Sequence, residues 1–199
     1  MLIHEATALV QGARHAVATA GLYVATARRA SRARHIGGGS IVDPDTSATA
    51  RPVFVVGSPR SGTTFLAGAI GAAPGFADLT EVGPLKAAIP RLTDLDEQAA
   101  AATVHRIVER VRLLARIRSL RAVEQTPEMA FLVPAALAAY PGARIVHIVR
   151  DGRDVVTSLL ERGWLSRGRA GGDDAGLAYG AHRRFWVDPA RARELEEAS

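Results

Sequence analysis

The sequence predicts a three-layer α/β/α fold with a mostly parallel sheet, and two stretches of the chain support this prediction. In the first, the apolar run 53–56 is followed by a glycine-bounded loop and then by apolar residues at helical spacing. In the second, the run 144–149 is followed by a polar turn and the start of another helix. Successive units of strand, loop and helix are typical of parallel sheets covered by helices.

Composition indicates one folded domain of ordinary size. The chain has 199 residues, of which 48% are hydrophobic and 23% are charged, which is a globular composition. The absence of cysteine excludes disulfides and catalytic thiols. We expect a helix and a glycine-rich linker in residues 1–40 and the main domain in residues 51–199.

Charge and hydropathy narrow the classes of partner. The net charge is +5, but Lys86 is the only lysine and aromatic residues make up 5% of the chain, so the interleaved aromatics of a nucleic-acid surface are missing. The N-terminal segment lacks a basic start and is interrupted by polar residues, unlike a signal peptide or a membrane span. We expect no nucleic-acid binding, no integral membrane segment and a cytoplasmic location; the oligomeric state stays open.

Three further helices are expected from their periodicity. Residues 2–34 predict a packing helix whose apolar face is Leu9, Ala13, Ala16, Ala20 and Val24. Residues 96–120 predict one long helix or a pair of helices. Thr126 stands as an N-cap before Pro127, so a helix is expected from there towards Ala139, kinked at Pro134.

The loop after the first strand departs from the nucleotide-binding P-loop at one position. Gly57, Gly62 and Thr64 fall in register with the P-loop pattern, but Thr63 stands where the lysine belongs. Without that lysine a triphosphate loses the charge that bridges its outer phosphates during transfer. An ordinary kinase or ATPase is therefore disfavoured.

The same loop suits a single anionic group. Arg60 lies within it, and the amides of residues 61–64 are at the start of the following helix. A helix N-terminus favours negative charge. We therefore expect the loop to hold a 5'-phosphate, although a tight turn without a ligand would have a similar pattern.

The segments 55–64 and 145–158 resemble the two nucleotide-binding segments of sulfotransferases that use 3'-phosphoadenylyl sulfate (PAPS). The run Pro59-Arg60-Ser61-Gly62-Thr63-Thr64 is similar to the family pattern in its Golgi, tyrosylprotein and bacterial branches. The resemblance implies a P-loop-like fold, no metal, and adenosine 3',5'-bisphosphate as product. It also implies donor binding by Arg60, Ser61, Gly62, Thr63 and Thr64, and a grip on the 3'-phosphate by Arg150 and Ser158.

The resemblance further implies sulfuryl transfer to an unidentified hydroxyl acceptor. By its distance from the loop, Glu81 resembles the catalytic glutamate of the tyrosylprotein branch, although a surface carboxylate would fit the spacing equally. Gln125 stands where relatives carry a catalytic lysine, so Arg60 or another arginine would have to supply the charge. Two alternatives stay open: a P-loop nucleotide kinase or NTPase, and a nucleotide-binding relative without turnover.

The resemblance covers about residues 52–190, and relatives run longer, so we expect the chain to lack the last part of that domain. The glycine-rich stretch 168–176 is interpreted as a connector or a mobile substrate loop. Trp164, His182 and Trp186 are expected to serve packing or the surface rather than catalysis.

Overall fold

The computed structural model describes residues 2–33 and 51–161, and of the first helix it describes the side chains of residues 16–32. The chain divides into two compact units, Met1–Arg150 and Asp151–Ser199. Several residues with predicted roles lie outside the described part of the chain: the linker glycines 37–39, the glycine-rich stretch 168–176, Trp164, His182 and Trp186.

A four-stranded parallel sheet is the centre of the first unit, which confirms the predicted α/β class. The order of the strands across the sheet is β2-β3-β1-β4. The strands are β1 (Val53–Val56), β2 (Phe76–Thr80), β3 (Arg121–Glu124) and β4 (Arg144–His147).

Strand β1 is in the interior of the sheet because it can be buried on both faces. Its four residues are apolar and all are buried, as expected for a strand of a sheet covered by helices. Strand β4 starts and ends with exposed residues, Arg144 and His147, and it has a neighbour on one side within the described part of the chain. The predicted strands at 53–56 and 144–149 are thus confirmed, the second ending at His147.

The helices of the first unit lie around this sheet in an arrangement consistent with three layers. Helix α2 packs on β1, β2 and β3, whereas α4 packs on α5 and on α1. The helices are α1 (Leu2–Ala33), α2 (Thr63–Gly71), α3 (Gly83–Leu92), α4 (Glu97–Leu114), a 3-10 helix (Pro127–Leu132), α5 (Val133–Ala139) and, in the second unit, α6 (Gly152–Glu161). In the described ranges no helix is long and apolar enough to cross a membrane.

The predicted packing face of α1 was wrong where its side chains are described, and Leu9 and Ala13 lie outside that part. Ala16 and Ala20 are exposed, and Val24 is 45% exposed. The buried face consists instead of Thr26, Ala27 and Ala30. Helix α1 meets β2 and α3 through this part, where small side chains allow a close approach, so contact with the sheet decided the face rather than the alanine spacing.

The helix expected from Thr126 has a different form. A 3-10 helix begins at Pro127, and the α-helical part starts only at Val133, with Pro134 in its first turn. Pro134 therefore opens a new helix rather than kinking one, as suits a residue without an N–H. Farther upstream, Asp96 caps a single helix that ends at Leu114.

Gly71, at the end of α2, is expected to be intolerant of a side chain. A Cβ there would lie 2.5 Å from Asp78 Cβ and 2.8 Å from Asp78 N, on β2. Gly71→Ala should lower the free energy of unfolding by about 1–3 kcal/mol through overpacking. The control is Gly21→Ala on α1, where no atom lies within 4 Å and alanine should stabilise by about 0.5–1 kcal/mol. Urea unfolding measures both, and a stability of Gly71→Ala equal to wild type would contradict the packing described.

Candidate functional site

The candidate residues lie at the carboxyl edge of the sheet, where the connections of neighbouring strands diverge. The connection that leaves β1 leads to β2, beyond β3, whereas the connection that leaves β3 leads to β4, beyond β1. Adjacent strands whose connections run in opposite directions leave a crevice at their carboxyl ends, and ligands of open α/β sheets bind there.

The backbone of the loop after β1 is tightly packed at Gly57 and has positive φ angles at Arg60 and Gly62. A Cβ at Gly57 would lie 2.5 Å from the carbonyl oxygen of Ile148, so this position requires glycine. Gly62 has a φ of 100° and Arg60 a φ of 71°. For Arg60 this left-handed conformation costs about 1–2 kcal/mol, and such strain is concentrated at functional sites.

Helix α2 starts directly at the end of this loop. Leu66 N–H donates the first hydrogen bond to Gly62 O, so the amides of residues 63–65 precede the internal bonding of the helix. The side chains of Ser61 and Thr63 are buried. An anionic group at this helix start would meet the backbone amides of residues 63–65, and the roles of Ser61 and Thr63 in binding stay predictions.

The end of β4 is joined to the same loop. Arg150 Nη1 donates a hydrogen bond to Arg60 O at 3.1 Å, and Ile148 N–H donates to Val56 O at 2.9 Å. Ile148 also packs against Gly57, and its Cδ1 lies 3.4 Å from where a Cβ of Gly62 would be. The structure thus brings residues 148–150, from the first part of the second segment, to the loop after β1, and Arg150 is exposed beside that loop.

The end of β3 contacts the start of α2. Thr64 Oγ1 donates a hydrogen bond of 3.4 Å to Gln125 Oε1. Gln125 is 2% exposed, and its backbone N–H donates a hydrogen bond to the backbone carbonyl of Thr80 at 3.4 Å. Gln125 is therefore held between the loop after β1 and the end of β2, although it brings no charge.

Glu124, next to Gln125, is fully buried and was not singled out from the sequence. Its Oε1 accepts hydrogen bonds from the amide of Thr126, at 2.8 Å, and from the Thr126 hydroxyl. Its Oε2 has no hydrogen-bond partner among the described residues. Burial raises the pKa of Glu124 to about 7; the hydrogen bonds from Thr126 and the nearby backbone N–H of Val82 oppose this rise, and the charge of Glu81 adds to it.

The Thr126 hydroxyl thus serves the turn after β3 rather than the helix that follows. Thr126 lies at the N-cap position, but its side chain makes no hydrogen bond to the helix. Because it donates to Glu124, it satisfies a buried carboxyl that would otherwise lose its hydration without compensation.

Glu81 lies at the end of β2 and is paired with the single lysine of the chain. Glu81 Oε2 and Lys86 Nζ are 2.8 Å apart, with Lys86 buried and Glu81 half-buried. Arg29 of α1 donates to Glu81 O at 3.2 Å and to Thr80 Oγ1 at 3.4 Å. The candidate base is therefore fixed by its neighbours and is not a loose surface carboxylate.

Sequence reasoning missed the roles of Glu124, Lys86 and Arg29 around these candidates. Lys86 had a signal, because a lone lysine in an arginine-rich chain is unusual. Glu124 and Arg29 had no such signal in the sequence. The burial of Glu124 and the contact of Arg29 with a residue 52 positions away are not local properties of the chain. Ser158 lies on α6 in the second unit and stays a prediction.

No protein-family model, curated protein or solved structure matches the chain. Across the described ranges, no group of three or more histidine and acidic residues is arranged to hold a metal ion.

Glu124 is expected to make stability depend on pH. The pKa of this carboxyl rises from 4.5 to about 7 on folding, so the folded protein binds the proton more tightly. The contribution is fully present below about pH 4.5 and is lost as the pH rises through about 7. Between pH 5 and pH 8, wild type should lose about 2 kcal/mol more unfolding free energy than Glu124→Gln, whose amide oxygen can still accept from Thr126. Equal losses in urea titrations at the two pH values would contradict a buried, protonated Glu124.

Proposed function

We propose that this chain is a sulfotransferase that moves a sulfuryl group from PAPS to a hydroxyl acceptor. The observation that carries the proposal is the hydrogen bond from Arg150 to the carbonyl of Arg60. It joins the two segments whose residues resemble the nucleotide-binding segments of PAPS-dependent enzymes, which the sequence separates by 90 positions.

The loop after β1 is suited to the 5'-phosphosulfate of the donor. The amides at the start of α2 and the guanidinium of Arg60 would donate hydrogen bonds to the phosphosulfate. At the position where a P-loop has lysine, the side chain is the buried hydroxyl of Thr63. This favours a donor that does not need an outer-phosphate lysine over a triphosphate.

Arg150 is suited to the 3'-phosphate that distinguishes PAPS from other adenine nucleotides. It follows the end of β4 and is oriented by its bond to Arg60 O. A planar guanidinium with five N–H donors matches the geometry of a phosphate, and it binds more strongly when it is already oriented. Ser158 is the second ligand that the resemblance implies.

The reaction forms one bond and breaks one at sulfur. The acceptor oxygen attacks the sulfur of the phosphosulfate, and the bond from sulfur to the bridging oxygen breaks. The electron pair stays on that oxygen, which becomes part of the 5'-phosphate of adenosine 3',5'-bisphosphate. The acceptor proton passes to the Glu81 carboxylate, a general base held by Lys86 and Arg29.

Charge that develops on the leaving oxygen is stabilised by hydrogen bonds and by arginine. Gln125 accepts a hydrogen bond from Thr64 at the start of α2, and its side-chain NH₂ group would donate to the leaving oxygen without adding a charge, so Arg60 supplies the cation. The half-exposed position of Arg60 in the loop is compatible with this role. Turnover therefore depends on Arg60 more than in relatives that have lysine at the position of Gln125.

The first experiment is thermal unfolding of the chain with adenosine 3',5'-bisphosphate, with adenosine 5'-phosphate and with magnesium-ATP. At a hundred times the dissociation constant, a ligand stabilises the folded state by about 2.7 kcal/mol. We expect a rise in Tm that is largest with the bisphosphate. A rise only with magnesium-ATP would support a nucleotide kinase or NTPase instead.

Two arginines provide matched variants for this experiment: Arg150, which follows β4, and Arg144, at the start of β4. Arg150→Ala should weaken the bisphosphate about 10-fold to 100-fold, because a charged hydrogen-bonded contact contributes about 1.5–3 kcal/mol, and it should affect adenosine 5'-phosphate little. Arg144→Ala removes an exposed arginine at the opposite end of β4 and should bind both as wild type does. Equal losses for both nucleotides in Arg150→Ala would remove the 3'-phosphate assignment.

Glu81→Gln tests the base. The variant should bind the bisphosphate like wild type and release it from PAPS at least 100-fold more slowly, since general bases contribute about 10²–10⁴-fold. Glu97→Gln, an exposed carboxylate in the first turn of α4, is the control and should be fully active. Undiminished turnover in Glu81→Gln would exclude Glu81 as the base. If wild type binds the bisphosphate but does not turn over PAPS, the chain is better described by the alternative of a nucleotide-binding protein without transferase activity.

A further inference from the structure

The turn that carries Glu81 is strained. Thr80 has a φ of 57°, and of the three non-glycine residues with positive φ in the described ranges, Arg60 and Thr80 lie at the carboxyl edge of the sheet. A residue in this conformation costs about 1–3 kcal/mol and persists only where its surroundings hold it. On its own element, the Thr80 amide donates to Asp78 Oδ1 at 2.7 Å.

Further contacts that hold this turn come from α1, more than fifty residues earlier. Arg29 Nε donates to Thr80 Oγ1 at 3.4 Å, and Arg29 Nη2 donates to Glu81 O at 3.2 Å. One planar guanidinium thus bonds both to Glu81, the candidate base, and to Thr80, the residue before it. A single rigid fork fixes their relative position better than two independent donors.

Thr26 holds the far end of the same turn. Its hydroxyl, on a fully buried residue, accepts from Gly83 N–H at 3.2 Å and from Arg29 Nη2 at 3.5 Å. A Cβ at Gly83 would lie 3.3 Å from Thr26 Oγ1 and from Leu22 Cδ2. The backbone of the turn therefore lies directly on α1, and the two side chains bond to each other as well as to the turn.

We propose that Arg29 is a positioning residue of the site: with Thr26 it holds the turn Thr80–Gly83 so that the Glu81 carboxyl stays beside Lys86 in the orientation needed for proton transfer. The proposal rests on the proposed function, because it assigns Glu81 its task. It makes α1 part of the site rather than a packing helix alone. Arg29 acts through the backbone of Glu81 and does not contact the nucleotide.

The consequence is a separation between binding and turnover. The contacts of Arg29 are to the end of β2, whereas the nucleotide seat is built from the loop after β1 and from Arg150. Loss of Arg29 should leave the nucleotide affinity unchanged and slow the transfer, because misplacement of a catalytic group by about 1 Å can cost about 10²-fold in rate.

The experiment compares Arg29→Gln with Arg28→Gln in the full chain. Arg28 is the exposed neighbour on α1, so both variants lose one charge from the same helix. The readouts are the dissociation constant of adenosine 3',5'-bisphosphate and the single-turnover release of bisphosphate and sulfate from PAPS, with water as the hydroxyl acceptor. We expect at least 10-fold slower release in Arg29→Gln with unchanged affinity, and wild-type values in Arg28→Gln. Arg29→Lys, with one donor group, should recover part of the rate.

A double-mutant cycle separates positioning from general destabilisation. If Arg29 acts through Glu81, then Glu81→Gln combined with Arg29→Gln should be no slower than Glu81→Gln alone. A further 10-fold loss in the double variant, or a parallel loss of nucleotide affinity in Arg29→Gln, would overturn the proposal.

Amide hydrogen exchange tests the same contact independently of the proposed function. The amides of residues 80–83 should exchange at least 10-fold faster in Arg29→Gln, and at wild-type rates in Arg28→Gln. If wild type binds no bisphosphate, the proposed function fails, and exchange still decides whether Arg29 holds the turn. Unchanged exchange in Arg29→Gln overturns the inference whatever the nucleotide results are.

Discussion

Strand β1 is hydrogen-bonded to β3 along one edge and to β4 along the other, and the proposed site depends on this double pairing. The register places Phe54 opposite Glu124 and Val56 opposite His147. Because all the strands are parallel, the segments that follow them emerge at one edge of the sheet. A shift of one residue in either pairing would reverse which face the side chains of the shifted strand occupy, and a shift of β4 against β1 would separate Arg150 from the loop.

Burial at this edge determines the state of its charged groups. Two carboxyl groups, Glu81 and Glu124, are close enough that the charge of one raises the pKa of the other. Lys86 pairs with Glu81, whereas Glu124 accepts hydrogen bonds from Thr126 within its own turn. A low-dielectric environment can accommodate Glu81 as a carboxylate beside a cation, and Glu124 as a carboxyl group whose pKa is raised. It would not accommodate two unpaired negative charges.

The strained residues of the site are held by parts of the chain far away in sequence. Arg60 is held through its carbonyl by Arg150, and Thr80 through its hydroxyl by Arg29. In both cases a guanidinium from another element donates to the strained turn. The turns after β1 and β2 therefore have their conformations only in the assembled unit, which is the expected condition for orienting a nucleotide and a base in advance.

The sequence by itself determined the local elements with strong patterns: the apolar strand β1, the glycine loop, the start of α2, and the capped helix α4. It also identified Arg60, Gln125, Glu81 and Arg150 as candidates. Strands β2 and β3 were not predicted, because each is short and contains a charged residue within or at the end of the strand, Asp78 and Glu124. Tertiary structure alone decided the buried face of α1, the burial of Glu124 and the hold of Arg29 on Glu81. Spacing expresses the preferences of the local backbone, whereas burial and pairing arise from contacts between residues far apart in the chain.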